Sequence, residues 1–226
     1  VLTADELGVV FFTVKVAALG TALILPLGVA VALGLARYQG AGKSALETIL
    51  SLPLVLPPTA VGLFLLEALA RRSPLGSSLA AHGIEVLFTG KAVILATSVM
   101  SFPLLVRSAR TAFEEVDPRL VGLARTLGCG PLAAFFRVTL PLAWRGVLAG
   151  TVLAFSRALG EFGATIMIAG NIPGRTQTLA LAIFQYNQAG RDERALVLAG
   201  ATVALAFATL WTTEWITRRR ARRSQA

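Results

Sequence analysis

The run Val9–Ala36, VVFFTVKVAALGTALILPLGVAVALGLA, holds a single charge, Lys15, and it constrains the fold of this chain more than any other feature. At about 1.5 Å of rise per residue, the part after Lys15 alone crosses about 30 Å of hydrocarbon, and the lysine stem reaches back to the headgroup level. The run is therefore predicted to span a membrane. It begins after Asp5 and Glu6, where a secretory signal carries basic residues, and further apolar runs follow, so a span is a better reading than a cleaved leader.

A second apolar run, Ala45 to about Ala70, contains Glu47, Glu67 and the prolines Pro53, Pro57 and Pro58. Each proline removes a backbone donor and strains the preceding turn, which predicts a broken or kinked membrane helix. Architecture is the first reading of these prolines, and a direct part in gating is the alternative. A third run, Gly83–Val106, follows the polar link RRSPLGSSLAAHG, with Arg107, Ser108 and Arg110 marking its exit from the membrane. Gly146 to about Ala169 makes a fourth, interrupted by Arg157 and Glu161, and Ala195 to about Ile216 a fifth. Leu179–Phe184 is too short to cross and reads as an interfacial or re-entrant helix. The expectation is an all-α polytopic membrane protein with five transmembrane helices, residues 1–226 forming one membrane domain.

The segment between the third and fourth runs, Thr111–Arg145, alternates charges with apolar pairs and is not hydrophobic enough to span. Pro118 suits a first helical turn. From Arg119 to Leu127, Leu120, Leu123, Ala124 and Leu127 share one face before Gly128 ends the helix. This predicts an amphipathic helix between two spans.

Composition closes several function classes. The chain is 55% hydrophobic and 15% charged, against about 25% charged in soluble domains. One cysteine and one histidine exclude an internal disulfide and a Cys/His zinc site. There is no Gly-rich Lys-Ser/Thr cradle for nucleotide, so no cofactor is expected on this chain, and energy must come from a partner or an ion gradient. The formal charge of +9 is unevenly placed. With the C-terminus inside, thirteen basic residues fall on the cytoplasmic side and five outside, Lys15 and Lys91 being border cases. The positive-inside rule then predicts an external N-terminus and a cytoplasmic amphipathic helix. Arg218, Arg219, Arg220, Arg222 and Arg223 read as an anchor beside anionic lipid rather than a nucleic-acid contact.

Ala124–Gly146, ARTLGCGPLAAFFRVTLPLAWRG, resembles the conserved cytoplasmic loop of bacterial ABC importer permeases, with its glycine at Gly128 and its leucine-proline at Leu140–Pro141. LPLVLPPTAVG at Leu52–Gly62, SRALGEFGAT at Ser156–Thr165 and NIPGRTQTL at Asn171–Leu179 resemble the molybdate branch of that class. The resemblance covers essentially the whole chain. It implies the type I importer permease fold, with a cytoplasmic coupling loop at 113–135, and a homodimer served by two cytoplasmic ABC ATPase subunits and an extracytoplasmic molybdate-binding protein. It also implies alternating access, ATP bound by the partner subunit and no catalysis on this chain, which would sit in the bacterial inner membrane. Where the family pattern favours an acidic residue followed by two small ones, this sequence has Gly122, Leu123 and Ala124. Glu115, Arg119 and Arg125 are the substitutes for the polar part of the docking contact.

Two readings of each feature stay open at this point. Leu120, Leu123 and Leu127 either share a face with the ATPase or lie against the chain's own spans. Arg157 and Glu161, four apart and read as lying near the middle of a span, either fix helix packing as a pair or line the path of an oxyanion; an uncompensated charge there costs at least about 2.5–3.5 kcal/mol. Gly160 and Gly163 flank Glu161 and are expected to permit close helix approach. Sulfate or tungstate is the alternative cargo. A proton-coupled transporter, with Glu161 as its carboxylate, and a membrane scaffold are the other classes.

Overall fold

The computed structural model describes the backbone of residues 2–223 and the side chains of residues 2–212. All regular elements among the described residues are helical. They are α1 (Ala4–Arg37), α2 (Lys43–Val55), α3 (Pro58–Leu69), α4 (Pro74–Ala81), α5 (Gly90–Glu114), α6 (Pro118–Thr126), α7 (Pro131–Ala134), α8 (Leu140–Leu159), α9 (Gly163–Ala169), α10 (Leu179–Gln188) and α11 (Asp192–Arg223). A π-turn, Phe135–Thr139, joins α7 to α8. Four helical stretches are long and apolar enough to cross a membrane: α1, α5, Pro131–Leu159 and α11 over Asp192–Thr212. The pair α2 and α3, bent by 106° at its break, makes a fifth if counted as one span. The tail arginines belong to the α11 backbone, but their side chains lie outside the described residues.

α5 is the hub, and it lies between α1 and α8. Hydrocarbon supplies no hydrophobic drive between helices, so close van der Waals contact must hold them, and small residues permit it. Gly146 and Gly150 of α8 face Ala112 and Ser108 of α5; a Cβ added at Gly146 would overlap the Ala112 methyl, and one at Gly150 would lie 2.9 Å from Ser108 Cβ. The Ser108 hydroxyl donates to the Gly146 carbonyl at 2.9 Å across this seam. On the other side, Ser98 Oγ donates to the Gly20 carbonyl of α1 at 3.3 Å.

Three boundaries differ from the sequence reading. The fourth span runs Pro131–Leu159, so Pro131–Arg145, assigned to the non-spanning segment, is helical and continuous with it. Arg137 and Arg145 depress the hydropathy of that stretch, while Leu132 and Phe136 remain on its outside. The π-turn there follows from Pro141, which offers no N–H to the preceding turn; Leu140 N–H instead reaches back to Phe135 O. The third span starts at Gly90 rather than Gly83, because Ile84–Phe88, apolar except for Glu85, is not helical: Val86 and Leu87 pack on the core, and Phe88 N–H donates to Ile168 O at 2.9 Å. The link before it is partly ordered as α4, capped by Ser73.

Candidate functional site

Two regions bring together the residues singled out from the sequence. The first lies where two broken helices adjoin. α2 ends at Val55 and α3 begins with Pro58 at its first position, so Pro57 and Pro58 divide the run while Pro53 stays inside α2. α8 ends at Leu159, with Gly160 as its cap, and α9 begins at Gly163. The breaks touch: a Cβ on Gly163 would lie 2.7 Å from Pro58 Cβ, and one on Gly62 would lie 2.7 Å from Met167 Cβ and 2.9 Å from Ala164 Cα. α3 and α9 thus run backbone against backbone beside Val93, Ala96 and Met100 of α5. Gly160 takes no part in that approach, contrary to expectation; a Cβ there meets nothing within 4 Å, because the chain has already left the helix.

Glu161 lies in the break, not midway along a continuous helix. Its level is set by Ala158 and Leu159, which pack on Ala17 in the middle of α1. The carboxylate is fully buried, with one ionic partner and one hydrogen-bond donor. Oε2 lies 2.6 Å from Arg157 Nη1, and Oε1 accepts the Ala164 N–H at 2.8 Å, closing the first turn of α9. Non-helical backbone at such a depth is tolerated only where protein or water satisfies it, and Glu161 supplies one of those bonds. Arg157 is 28% exposed, so its charge is balanced without being sealed in. Ser156 Oγ and Thr165 Oγ1 are enclosed there without a hydrogen-bond partner.

After α9, the segment Gly170–Thr178 is ordered by turn hydrogen bonds. Ile172-Pro173-Gly174-Arg175 forms a β-turn closed by Arg175 N–H to Ile172 O at 3.0 Å, and its third residue, Gly174, has a φ of 73° that favours glycine. Thr176 Oγ1 accepts from Ile172 N–H. Thr13 of α1 then receives the Leu179 N–H at 2.9 Å, seating α10 on α1. α10 spans ten residues, too few to cross, and Phe184 on it meets Phe162 at 5.1 Å between ring centroids.

The second region is α6. Asp117 accepts the Arg119 N–H at 2.8 Å and caps the helix, Pro118 occupies its first position, and Gly128, at φ 86°, terminates it with Cys129 N–H returning to Ala124 O. The predicted single face divides in two. Ala124 is buried against the chain, whereas Leu120, Leu123 and Leu127 are 46%, 60% and 79% exposed. Gly122 is also open, with nothing within 4 Å of an added Cβ. Glu115, Arg119 and Arg125 are exposed, and none of them is in an ion pair among the described residues.

Sequence reasoning missed a third group at the α6 end, where Lys43 and Glu47 of α2 meet Arg110 and Glu114 of α5. These charges were visible, but the pairing joins positions 71 residues apart. Among the described residues no cluster of His, Cys, Asp or Glu is arranged to hold a metal.

An all-helical unit with four to five candidate spans, breaks at α2–α3 and α8–α9, and an exposed amphipathic helix between two spans fits a membrane permease. Residues 24–222 match the family described as binding-protein-dependent transport system inner membrane component, and the chain belongs to that family. It is 44% identical over 220 residues to the molybdenum transport system permease protein ModB of Escherichia coli K12, covering 96% of each chain. Over 203 residues it is 38% identical to the putative molybdenum transport system permease protein YvgM of Bacillus subtilis, covering 89% of each. Its fold is shared with a bacterial alginate ABC importer at a TM-score of 0.76 and 16% identity, over 96% of this chain and 80% of that one. The methionine transporter MetNI in an inward-facing form gives 0.68 and 17%, over 96% and 99%. The chain is thus the permease subunit of an ABC-type importer, a complex that also contains an ATPase and a substrate-binding protein. ATP is handled by the separate ATPase, and this subunit is not an enzyme.

Proposed function

We propose that this permease carries molybdate into the cytoplasm by alternating access, as a homodimer coupled through α6 to two ATPase subunits and loaded by an extracytoplasmic molybdate-binding protein. The cargo rests on relatives named for molybdenum transport that align over nearly the full chain. The mechanical reading rests on one observation: Leu120, Leu123 and Leu127 stay exposed although their own spans are close by. A leucine face left open outside the membrane gains most from a protein groove that removes it from water. Gly122 leaves room for a partner's backbone on the same helix, and Arg119, Arg125 and Glu115 rim the contact.

In this reading the break between α8 and α9 is fixed rather than reactive. Glu161 neutralises Arg157 and holds the first turn of α9, so the pair offers a passing oxyanion no deep well. Tight binding in a path slows release, and a balanced pair avoids that. The inside face carries α6 with Arg37, Lys43, Arg107, Arg110, Arg137 and Arg145, against Arg71, Arg72, Arg175, Arg191 and Arg194 at the other end, which supports a cytoplasmic α6 and an external N-terminus.

The test is uptake by permease reconstituted with its ATPase and binding protein. ATP-dependent molybdate accumulation is expected, with tungstate and sulfate competing according to the binding protein's affinities. Uptake that needs a proton gradient and ignores ATP would overturn the reading. For orientation, Cys129→Ser protein carrying Ser78→Cys should label from outside intact cells, and the same background carrying Thr126→Cys should not.

A further inference from the structure

Four of the charges at the α6 end form a closed ring. Lys43 Nζ, at the start of α2, lies 2.9 Å from Glu114 Oε1, the last residue of α5. One turn along α2, Glu47 lies 4.0 Å from Lys43 and pairs with Arg110 Nη1; Arg110 Nε in turn lies 3.9 Å from Glu114. Two cations and two carboxylates alternate, so the ring is neutral. Its side chains are 21–35% exposed; Lys43 donates a hydrogen bond to Glu114, while Glu47 Oε1 and Arg110 Nε are enclosed and held by ionic contact alone. A dianion passing here meets cations already balanced, so the ring is not a cargo site.

Its value lies in what it joins. α2 has no buried residue, and Leu46, Ile49, Leu52 and Val55 are exposed along it. Leu50 gives it an apolar foothold beside Ala32, Val106 and Ala109. The ring supplies the ionic tie between this loosely seated half-span and the hub helix. On the α5 side, Glu114 stands three residues before Asp117, the cap of α6. Glu114 and its partners Lys43 and Glu47 thus form one continuous connection from the start of α6 to α2, whose far end is the Pro57–Pro58 break against α9.

We infer that Lys43, Glu47, Arg110 and Glu114 are positioning residues for transport, forming the link by which movement of α6 is transmitted to the bent span. This rests on the reading that α6 docks on the ATPase. Coupling through packed elements requires that one element be held to the next in both states, and an ionic ring with several exchangeable partners does so while tolerating small rotations.

The experiment measures molybdate imported per ATP hydrolysed by the permease–ATPase complex in liposomes with binding protein. Because this is a ratio, it is independent of how much complex assembles. Glu47→Gln and Arg110→Gln should each lower it by about fivefold or more, with the ATPase still co-purifying, and Arg110→Lys should retain most of it. In Cys129→Ser protein, Glu47→Cys with Arg110→Cys should be uncoupled when reduced and recover when bridged by a short bifunctional thiol reagent. Parental ratios in both glutamine variants, or a bridged protein as uncoupled as the reduced one, would overturn the inference. Leu123→Asp separates the two levels of failure. If it keeps the ATPase and uptake, the docking reading itself falls; if it loses both while the ring variants stay coupled, only the ring's role falls.

Discussion

The junction of the two broken helices and the α6 helix treat their exposed groups in opposite ways. At the junction, the chain closes on itself: Gly62 and Gly163 let backbones meet, and the Glu161 carboxylate is consumed by Arg157 and Ala164. At α6 the caps are complete, yet the leucines are not covered. Local structure is finished in both places, but tertiary burial is finished in only one. On α6, complete caps and uncovered leucines are what the proposed docking on the ATPase would use, whereas the junction has already buried its one carboxylate.

The largest expected effect falls at the junction. Glu161→Ala removes the acceptor of Ala164 N–H at the start of α9 and leaves Arg157 without its partner; because Arg157 keeps access to solvent, the expected loss is about 3 kcal/mol, the lower end for a broken buried pair. Glu161→Gln keeps an acceptor for Ala164 N–H and should cost less. The double variant with Arg157→Ala should recover detergent thermal stability relative to Glu161→Ala. Additive losses would break the claim that the two charges are mutual partners.

Gly62→Val comes next. Its added atoms meet Met167 Cβ and the Ala164 backbone at under 3 Å, so overpacking should cost about 1–3 kcal/mol and lower the yield of folded permease. Unchanged yield and melting would show that α3 and α9 are not in rigid contact. The smallest effect belongs to Gly122→Ala on α6, where nothing lies within 4 Å. Helix propensity favours alanine by about 1 kcal/mol, so the permease alone should fold as well or slightly better. A fall in its thermal stability would contradict an open face at that position.

The sequence made one of these regions easier to read than the other. α6 was legible because its signals are local: proline at the first turn, leucines at helical spacing, glycine at the stop. Only the inward turn of Ala124 needed the tertiary structure. The proline break of α2 and α3 was legible for the same reason. The junction was harder. Gly160 and Gly163 flank Glu161 alike, but which glycine meets a neighbour depends on where α8 ends, and the apolar run from Gly146 to Ala169 hides that end. Arg137 and Arg145 made the start of the fourth span look too polar to be part of it, and the pairing of Lys43 with Glu114 is long-range and leaves no periodic trace.

The uncovered face of α6 carries the proposed coupling, and Leu123→Asp tests it most directly. Leu123 is 60% exposed on a self-capped helix, so the substitution costs the isolated permease little. Within a closed apolar contact, the new carboxylate would be desolvated without a partner, weakening docking by several kcal/mol. Purified Leu123→Asp permease should insert and dimerise at near-parental amounts, fail to retain the ATPase, and lose binding-protein-stimulated ATP turnover together with molybdate uptake. Parental ATPase retention with coupled uptake would contradict the account.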